Sequence, residues 1–243
     1  MRLVEGILSN ALAAPGMPMP PPPPPMAPPP PPAKKSKLPL LVTVFAVLGV
    51  VFMGISLAMP WYVVKTEATG GIGTIEGTYS FSGIDSKIDI AGQSLSNHTA
   101  WGDVKNADKT KGLYSLTQIM VILGLVMCIL LLVGGVMLMK GPDKKKLAVL
   151  FGVLALVFSL LAPVLFMAMH PGALKEDSKA ASGSEPTAGP PTSFTGSMDS
   201  ILGKVTWGPG TGWIMGLLGF IFALLGFILV LLVKKPGVAA PAA

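Results

Sequence analysis

Residues 113–139 read LYSLTQIMVILGLVMCILLLVGGVMLM, 27 residues without one charged side chain. As a helix rising about 1.5 Å per residue this stretch is about 40 Å long, more than the hydrocarbon thickness of a bilayer, about 30 Å. Lipid offers the backbone no hydrogen-bond partners, so only a helix or a closed barrel can cross it, and a run this continuous lacks the alternation of barrel strands. Three further uncharged apolar runs, at 38–59, 147–169 and 213–233, meet the same criterion. The expected fold class is therefore a membrane all-α bundle of four transmembrane helices.

Composition agrees. Of 243 residues 51% are apolar and 12% charged, too little charge to solvate a globule of this size. The single cysteine, Cys128, closes no intrachain disulfide, and with only two histidines it assembles none of the usual zinc or iron sites. No G-x-S-x-G, P-loop or H-E-x-x-H is present, and none of the four runs has an interior Asp, Glu, Lys, Arg or His. The chain is accordingly expected to be noncatalytic, with no metal site and no cofactor. His98 in the first long connection and His170 at the end of the third run are expected to be solvated or interfacial, and Cys128 to be a small buried apolar residue.

Orientation follows from the lysines, which stay on the cytoplasmic side of short loops. Lys34, Lys35 and Lys37 precede the first run, Lys140, Lys144, Lys145 and Lys146 fill the second connection, and Lys234 and Lys235 follow the fourth run. The net charge of +6 arises on that face, since the two long connections hold more acids than lysines. Both ends are expected in the cytoplasm of a multi-pass protein of the cell membrane. Trp61, Tyr62, Tyr114, Trp207 and Trp213 fall at the opposite ends of the runs, where interfacial aromatics belong. Asn97-His98-Thr99 is a sequon in the first long connection, which makes Asn97 a candidate glycosylation site on the translocated side.

The expected division is a proline-rich cytoplasmic tail at 1–37, spans at 38–59, 113–139, 147–169 and 213–233, extracellular connections at 60–112 and 170–212, a cytoplasmic loop at 140–146 and a cytoplasmic tail at 234–243. Leu3, Ile7, Leu8 and Leu12 at helical spacing fit a short amphipathic helix, a disordered start fits equally, and a cleaved leader ending near Ala13 is the competing reading. Residues 15–32 are mostly proline and favour a polyproline II rod of roughly 55 Å, a stiff spacer or a ligand for aromatic grooves. In the first long connection the segments 61–67, 74–81 and 84–90 alternate apolar residues between glycine turns and predict a small antiparallel β-sheet. The sheet would place Ile75, Tyr79 and Phe81 on one face of a strand, and Ile84, Ile88 and Ile90 on one face of the next. Residues 204–207 are a further candidate strand, and 175–191 is expected to be mobile.

Helix contacts are expected where small residues let backbones approach: Gly212, Gly216 and Gly219 on the fourth helix, Gly54 and Ala58 on the first. These serve either packing within the chain or contact with a second copy. Pro163 is expected to kink the third helix.

The order of parts, with cytoplasmic ends, a long first loop forming a sheet, a short inner loop and a smaller second outer loop, resembles the claudin and peripheral-myelin-protein-22-like tetraspan family. Pro60-Trp61 at the exit of the first helix and Gly212-Trp213 at the entry of the fourth are similar to features of that family. The resemblance implies a claudin-like arrangement over 38–233. The family's first-loop signature of Trp, Gly-Leu-Trp and two cysteines is absent, so its barrier and pore functions are not carried over. Three function classes follow from the sequence. The favoured one is a structural, adhesive or accessory subunit acting through its extracellular cap. The others are a channel or transporter component, hinted at by Thr117 and Gln118, and a cytoplasmic scaffold displaying the proline tract. The expected partners are the bilayer, anionic headgroups at the lysine-rich face, and another membrane protein or a second copy; nucleic acid is not expected.

Overall fold

The computed structural model describes residues 37–184, 186, 190–201 and 203–233. The proline tract, the amphipathic segment before it, and Lys34, Lys35, Lys234 and Lys235 lie outside these. Four helices, α1 (Leu38–Ala58), α2 (Asp108–Lys140), α3 (Lys145–Ser182) and α4 (Thr211–Leu232), are each long and apolar enough to cross a membrane. They pack in a ring, α1 against α2, α2 against α3, α3 against α4 and α4 back onto α1. Above one end lies an antiparallel sheet of β1 (Tyr62–Ala68), β2 (Gly73–Tyr79), β3 (Gly83–Ile90), β4 (Gln93–Ala100), β5 (Gly196–Ser200) and β6 (Gly203–Pro209), in the spatial order β4-β3-β2-β1-β6-β5. The topology is tetraspan-like.

Each helix buries a stripe with the seven-residue repeat of supercoiled bundles. On α1 the stripe is Pro39, Val42, Ala46, Gly49, Met53 and Ser56. On α3 it includes Ala148, Gly152, Ala155, Ser159, Ala162 and Phe166, and on α4 Gly212, Gly216, Gly219, Ala223, Gly226 and Val230. Small residues are frequent on the inside of α3 and α4, with larger ones such as Met53, Val121, Leu131 and Phe166 between them, while Val44, Val51, Ile122, Ile129, Val153, Val157, Ile221 and Ile228 are exposed on the outside. That distribution suits a solvent as apolar as the side chains, in which close backbone approach holds helices together in place of the hydrophobic effect. At the lysine-rich end the Lys145 ammonium donates to the carbonyls of Leu231 (2.7 Å) and Val233 (2.6 Å), neutralising the carbonyl-rich C-terminus of α4.

The helix pair α1/α4 continues as a strand pair. β1 leaves α1 after Pro60-Trp61, β6 enters α4 through Gly210, and the two strands pair from Tyr62 with Pro209 to Ala68 with Gly203. The corner is tied by Gly210 N–H donating to the Trp61 carbonyl (2.9 Å) and Gly212 N–H to that of Pro60 (2.7 Å). A Cβ at Gly212 would stand 2.7 Å from Cδ1 of Trp61 and crowd the Met59 carbonyl, so glycine is required there by space alone.

In the helices and the sheet the structure changes three expectations. Residues 170–182, including the first part of the stretch 175–191 expected to be mobile, are helical: α3 runs on through Pro163 and Pro171 to Ser182. This extension is held because the Asp177 carboxylate accepts the backbone N–H groups of Lys109 (3.0 Å) and Thr110 (2.8 Å), capping α2. β4 and β5 join the sheet without having been expected. Gly54 and Ala58 do not supply the expected intramolecular contact of α1. A Cβ on Gly54 meets nothing within 4 Å and Ala58 is exposed, whereas one on Gly49 would touch Gly219 O and Cys128 Sγ, both at 3.6 Å.

Candidate functional site

Two features of the sheet end stand out, a buried aromatic junction and an exposed apolar row beyond it. The junction gathers Trp61, Tyr62, Tyr79, Phe81 and Trp101 from the first connection, Tyr114 from α2, Phe166 and His170 from α3, Phe194 from the segment before β5, and Trp213 from the first turn of α4. Trp61 meets Phe166 edge-on at 5.2 Å, Tyr114 meets Phe166 at 5.2 Å, and Trp101 meets Tyr114 at 4.8 Å. Offset and edge-to-face pairs of this kind contribute about 0.5–1.5 kcal/mol each beyond their buried area. The aromatics expected at a lipid–water boundary thus form the core that welds sheet to bundle.

All four tryptophans satisfy their indole N–H on a backbone carbonyl: Trp61 on Ser56 (2.8 Å), Trp101 on Ser80 (2.9 Å), Trp207 on Ser193 (3.1 Å) and Trp213 on Pro163 (2.9 Å). His170, expected to be interfacial, is instead fully buried, 4.1 Å from the Tyr62 ring and 4.7 Å from that of Phe166. Neither of its ring nitrogens has a hydrogen-bond partner, and neither do the hydroxyls of Tyr62, Tyr114, Thr110 and Thr117. Burial pushes the phenols of Tyr62 and Tyr79 above their ordinary range, with Tyr79 adding to the effect on Tyr62.

Strand register sorts the rest of the sheet into two faces. One carries Lys65, Glu67, Glu76, Asp85, Lys87, Asp89 and Lys204, with exposed ion pairs Lys65–Glu67 and Lys87–Asp89, both 2.9 Å. These pairs hold the two carboxyls below and the two ammonium groups above their usual values, mainly through the shared hydrogen bond. His98 lies here too, 2.7 Å from Asp85 and exposed. The opposite face carries Val64, Val205, Met198, Tyr79 and Ile84, packed toward the junction.

Farther from the bundle the same apolar face has no cover. Ile75, Ile88 and Leu95 sit opposite one another across β2, β3 and β4, with Ile75 48% and Leu95 67% exposed, and Ile90 lies beside them on the same face. β4 is also the sheet edge, and its sequence QSLSNHTA has no lysine, acid or proline to guard it. Asn97 stands on this edge with its Nδ2 3.4 Å from Thr99 Oγ1, on the face that carries Leu95.

Of the residues singled out from sequence, Gly212, Gly216 and Gly219 come together against α1. A Cβ on Gly216 would lie 3.3 Å from Ser56 Oγ, and one on Gly219 2.7 Å from Met53 Cγ. Thr117 and Gln118 are not brought together, since Thr117 faces the bundle interior and Gln118 is exposed. Cys128 is buried. Among the described residues no group of three His, Cys, Asp or Glu side chains could hold a metal. Sequence reasoning missed Gly49, Gly124, Gly152 and Gly226 at helix contacts; the signal was there as small residues spaced three and four apart. No known protein family matches the chain, and no curated protein matches it in sequence.

Proposed function

We propose that the protein is a noncatalytic membrane-anchored subunit whose sheet stands outside the cell and docks another protein along Ile75, Ile88 and Leu95. The observation that carries this reading is the division of one apolar sheet face. Its bundle-proximal half is buried in the aromatic junction, while its distal half is exposed beside an unguarded edge. Contiguous apolar surface of this kind is costly in water and marks interaction sites. Extracellular placement of the sheet and cytoplasmic placement of both ends rest on the lysine bias toward the opposite end of the bundle. A claudin-like arrangement belongs to the same proposal, supported by the order of parts and the Pro60-Trp61 corner.

One experiment tests both halves. Single cysteines replace Leu95 or Asp143, and intact cells are treated with a membrane-impermeant maleimide carrying a photoreactive group. Leu95→Cys should be labelled and give a discrete adduct on illumination, lost when Ile88→Lys is added; Asp143→Cys should stay unlabelled. Labelling at Asp143→Cys would overturn the orientation. A missing adduct at Leu95→Cys, or one indifferent to Ile88→Lys, would overturn the docking row.

A further inference from the structure

At the sheet end of the bundle, α2 and α3 do not close tightly on their lipid-facing side. A groove of about 440 Å³ runs between them, walled by Gly112, Leu113, Leu116, Ala168, Met169 and Gly172. Two of these are glycines that nothing in the fold requires. A Cβ built on Gly112 or Gly172 meets no atom within 4 Å, and neither residue has a positive φ. Glycine inside a helix costs roughly 0.5–1 kcal/mol relative to alanine, and here neither packing nor turn geometry offsets that cost.

The lip of the groove is charged. Lys109 Nζ and Glu176 Oε2 face each other at 3.6 Å, their side chains 66% and 64% exposed. Lys109 precedes Leu116 by two helical turns, so the charges stand about 10 Å above the apolar floor, a separation that fits headgroup over acyl chain in an interfacial layer. A cation and an anion side by side above an apolar trough complement a molecule built the same way.

We infer that this groove binds a zwitterionic phospholipid bearing a primary amine, with its phosphate on Lys109, its ammonium on Glu176 and one acyl chain along Gly112, Leu116, Ala168 and Gly172. Binding exchanges one exposed ion pair for two. A primary ammonium donates hydrogen bonds to the Glu176 carboxylate, which a quaternary choline has no hydrogen to do, and a headgroup with net negative charge meets repulsion from Glu176. The site is independent of the docking row, since it uses α2 and α3 alone.

The test uses the full chain in nanodiscs of equal parts phosphatidylethanolamine, phosphatidylcholine and phosphatidylglycerol, with retained lipids counted by native mass spectrometry. Phosphatidylethanolamine should be enriched about two- to five-fold over the other two, the range that one exposed ion pair supplies. Glu176→Gln should bring it down to the phosphatidylcholine level. Gly172→Leu and, on the facing helix, Gly112→Leu should each remove the enrichment by filling the groove, with melting unchanged or raised, because neither new side chain meets a neighbour at Cβ and each replaces a glycine inside a helix. Equal retention of the three lipids, enrichment of phosphatidylglycerol, or enrichment that survives both leucine variants would overturn the assignment.

Discussion

Gly216→Leu tests how the bundle is held. Gly216 is buried on α4 against α1, and an added Cβ would stand 3.3 Å from Ser56 Oγ and 3.5 Å from Trp61 Cη2. Alanine therefore fits with a shift of a few tenths of an ångström. Leucine brings three more carbons into a place where Ser56 and Trp61 are both fully buried and bonded, Ser56 Oγ donating to Gly212 O (2.8 Å) and Trp61 Nε1 to Ser56 O (2.8 Å). Overpacking costs about 1–3 kcal/mol, and losing the Ser56 bond about 1 more. For a chain of this size the sum of about 2–4 kcal/mol lowers the melting temperature by roughly 4–16 °C. Gly54→Leu is the matched control: it is the same substitution on α1 at a position facing open space, expected to melt at or slightly above the parent. Thermal unfolding in one detergent, followed by intrinsic fluorescence, separates the two. If Gly216→Leu melts with the parent, or Gly54→Leu falls as far, the glycine seam is not what holds α1 to α4.

Two further expectations follow from single residues. Ala91 and Gly92 join β3 to β4 with φ of 47° and 83°, a two-residue turn in which a non-glycine residue pays for the left-handed region, so Ala91→Asn should stabilise the hairpin by about 0.5–1 kcal/mol and slow amide exchange in β3 and β4; unchanged or faster exchange refutes this. His170→Phe keeps a planar ring among rings while removing two buried nitrogens without partners, so melting should hold or rise, by up to about 1–3 kcal/mol, and a clear fall would mean that those nitrogens are bonded in the folded protein.

The helices were legible because crossing lipid demands uninterrupted apolar length, and 113–139 has that length. Lipid also removes the contrast that tells which side of a helix faces inward, so Gly54-Ala58 and Gly212-Gly216 look alike in sequence although only the second pair meets a neighbour. β1, β2 and β3 announced themselves by alternation. β4 did not: QSLSNHTA holds one large apolar residue, and it is a strand because the Ala91-Gly92 turn lays it against β3. The extension of α3 was hidden by Pro171 and by the polar run that follows, KEDSKAAS. Its helicity is fixed by partners distant in sequence, the α2 amides on Asp177 and the packing of Ala173 and Leu174 on the core. The junction was half visible, since Trp61, Tyr62, Tyr114 and Trp213 cluster at one end of the spans, but only the fold draws His170 in among them.

The continuation of α1/α4 as β1/β6 limits how this molecule can move. Separating α1 from α4 sideways, to admit a lipid or a solute between them, would require peeling apart the ladder from Tyr62–Pro209 to Ala68–Gly203, with each backbone bond worth about 0.5–1.5 kcal/mol, and breaking the Gly210 and Gly212 ties at the corner. No such ladder spans α2 and α3. Their chains end in a capped helix terminus and a helical extension, joined above the spans by the Asp177 carboxylate and the exposed Lys109–Glu176 pair. The bundle is thus a cylinder with one stitched seam, and any lateral parting is directed to the side away from it.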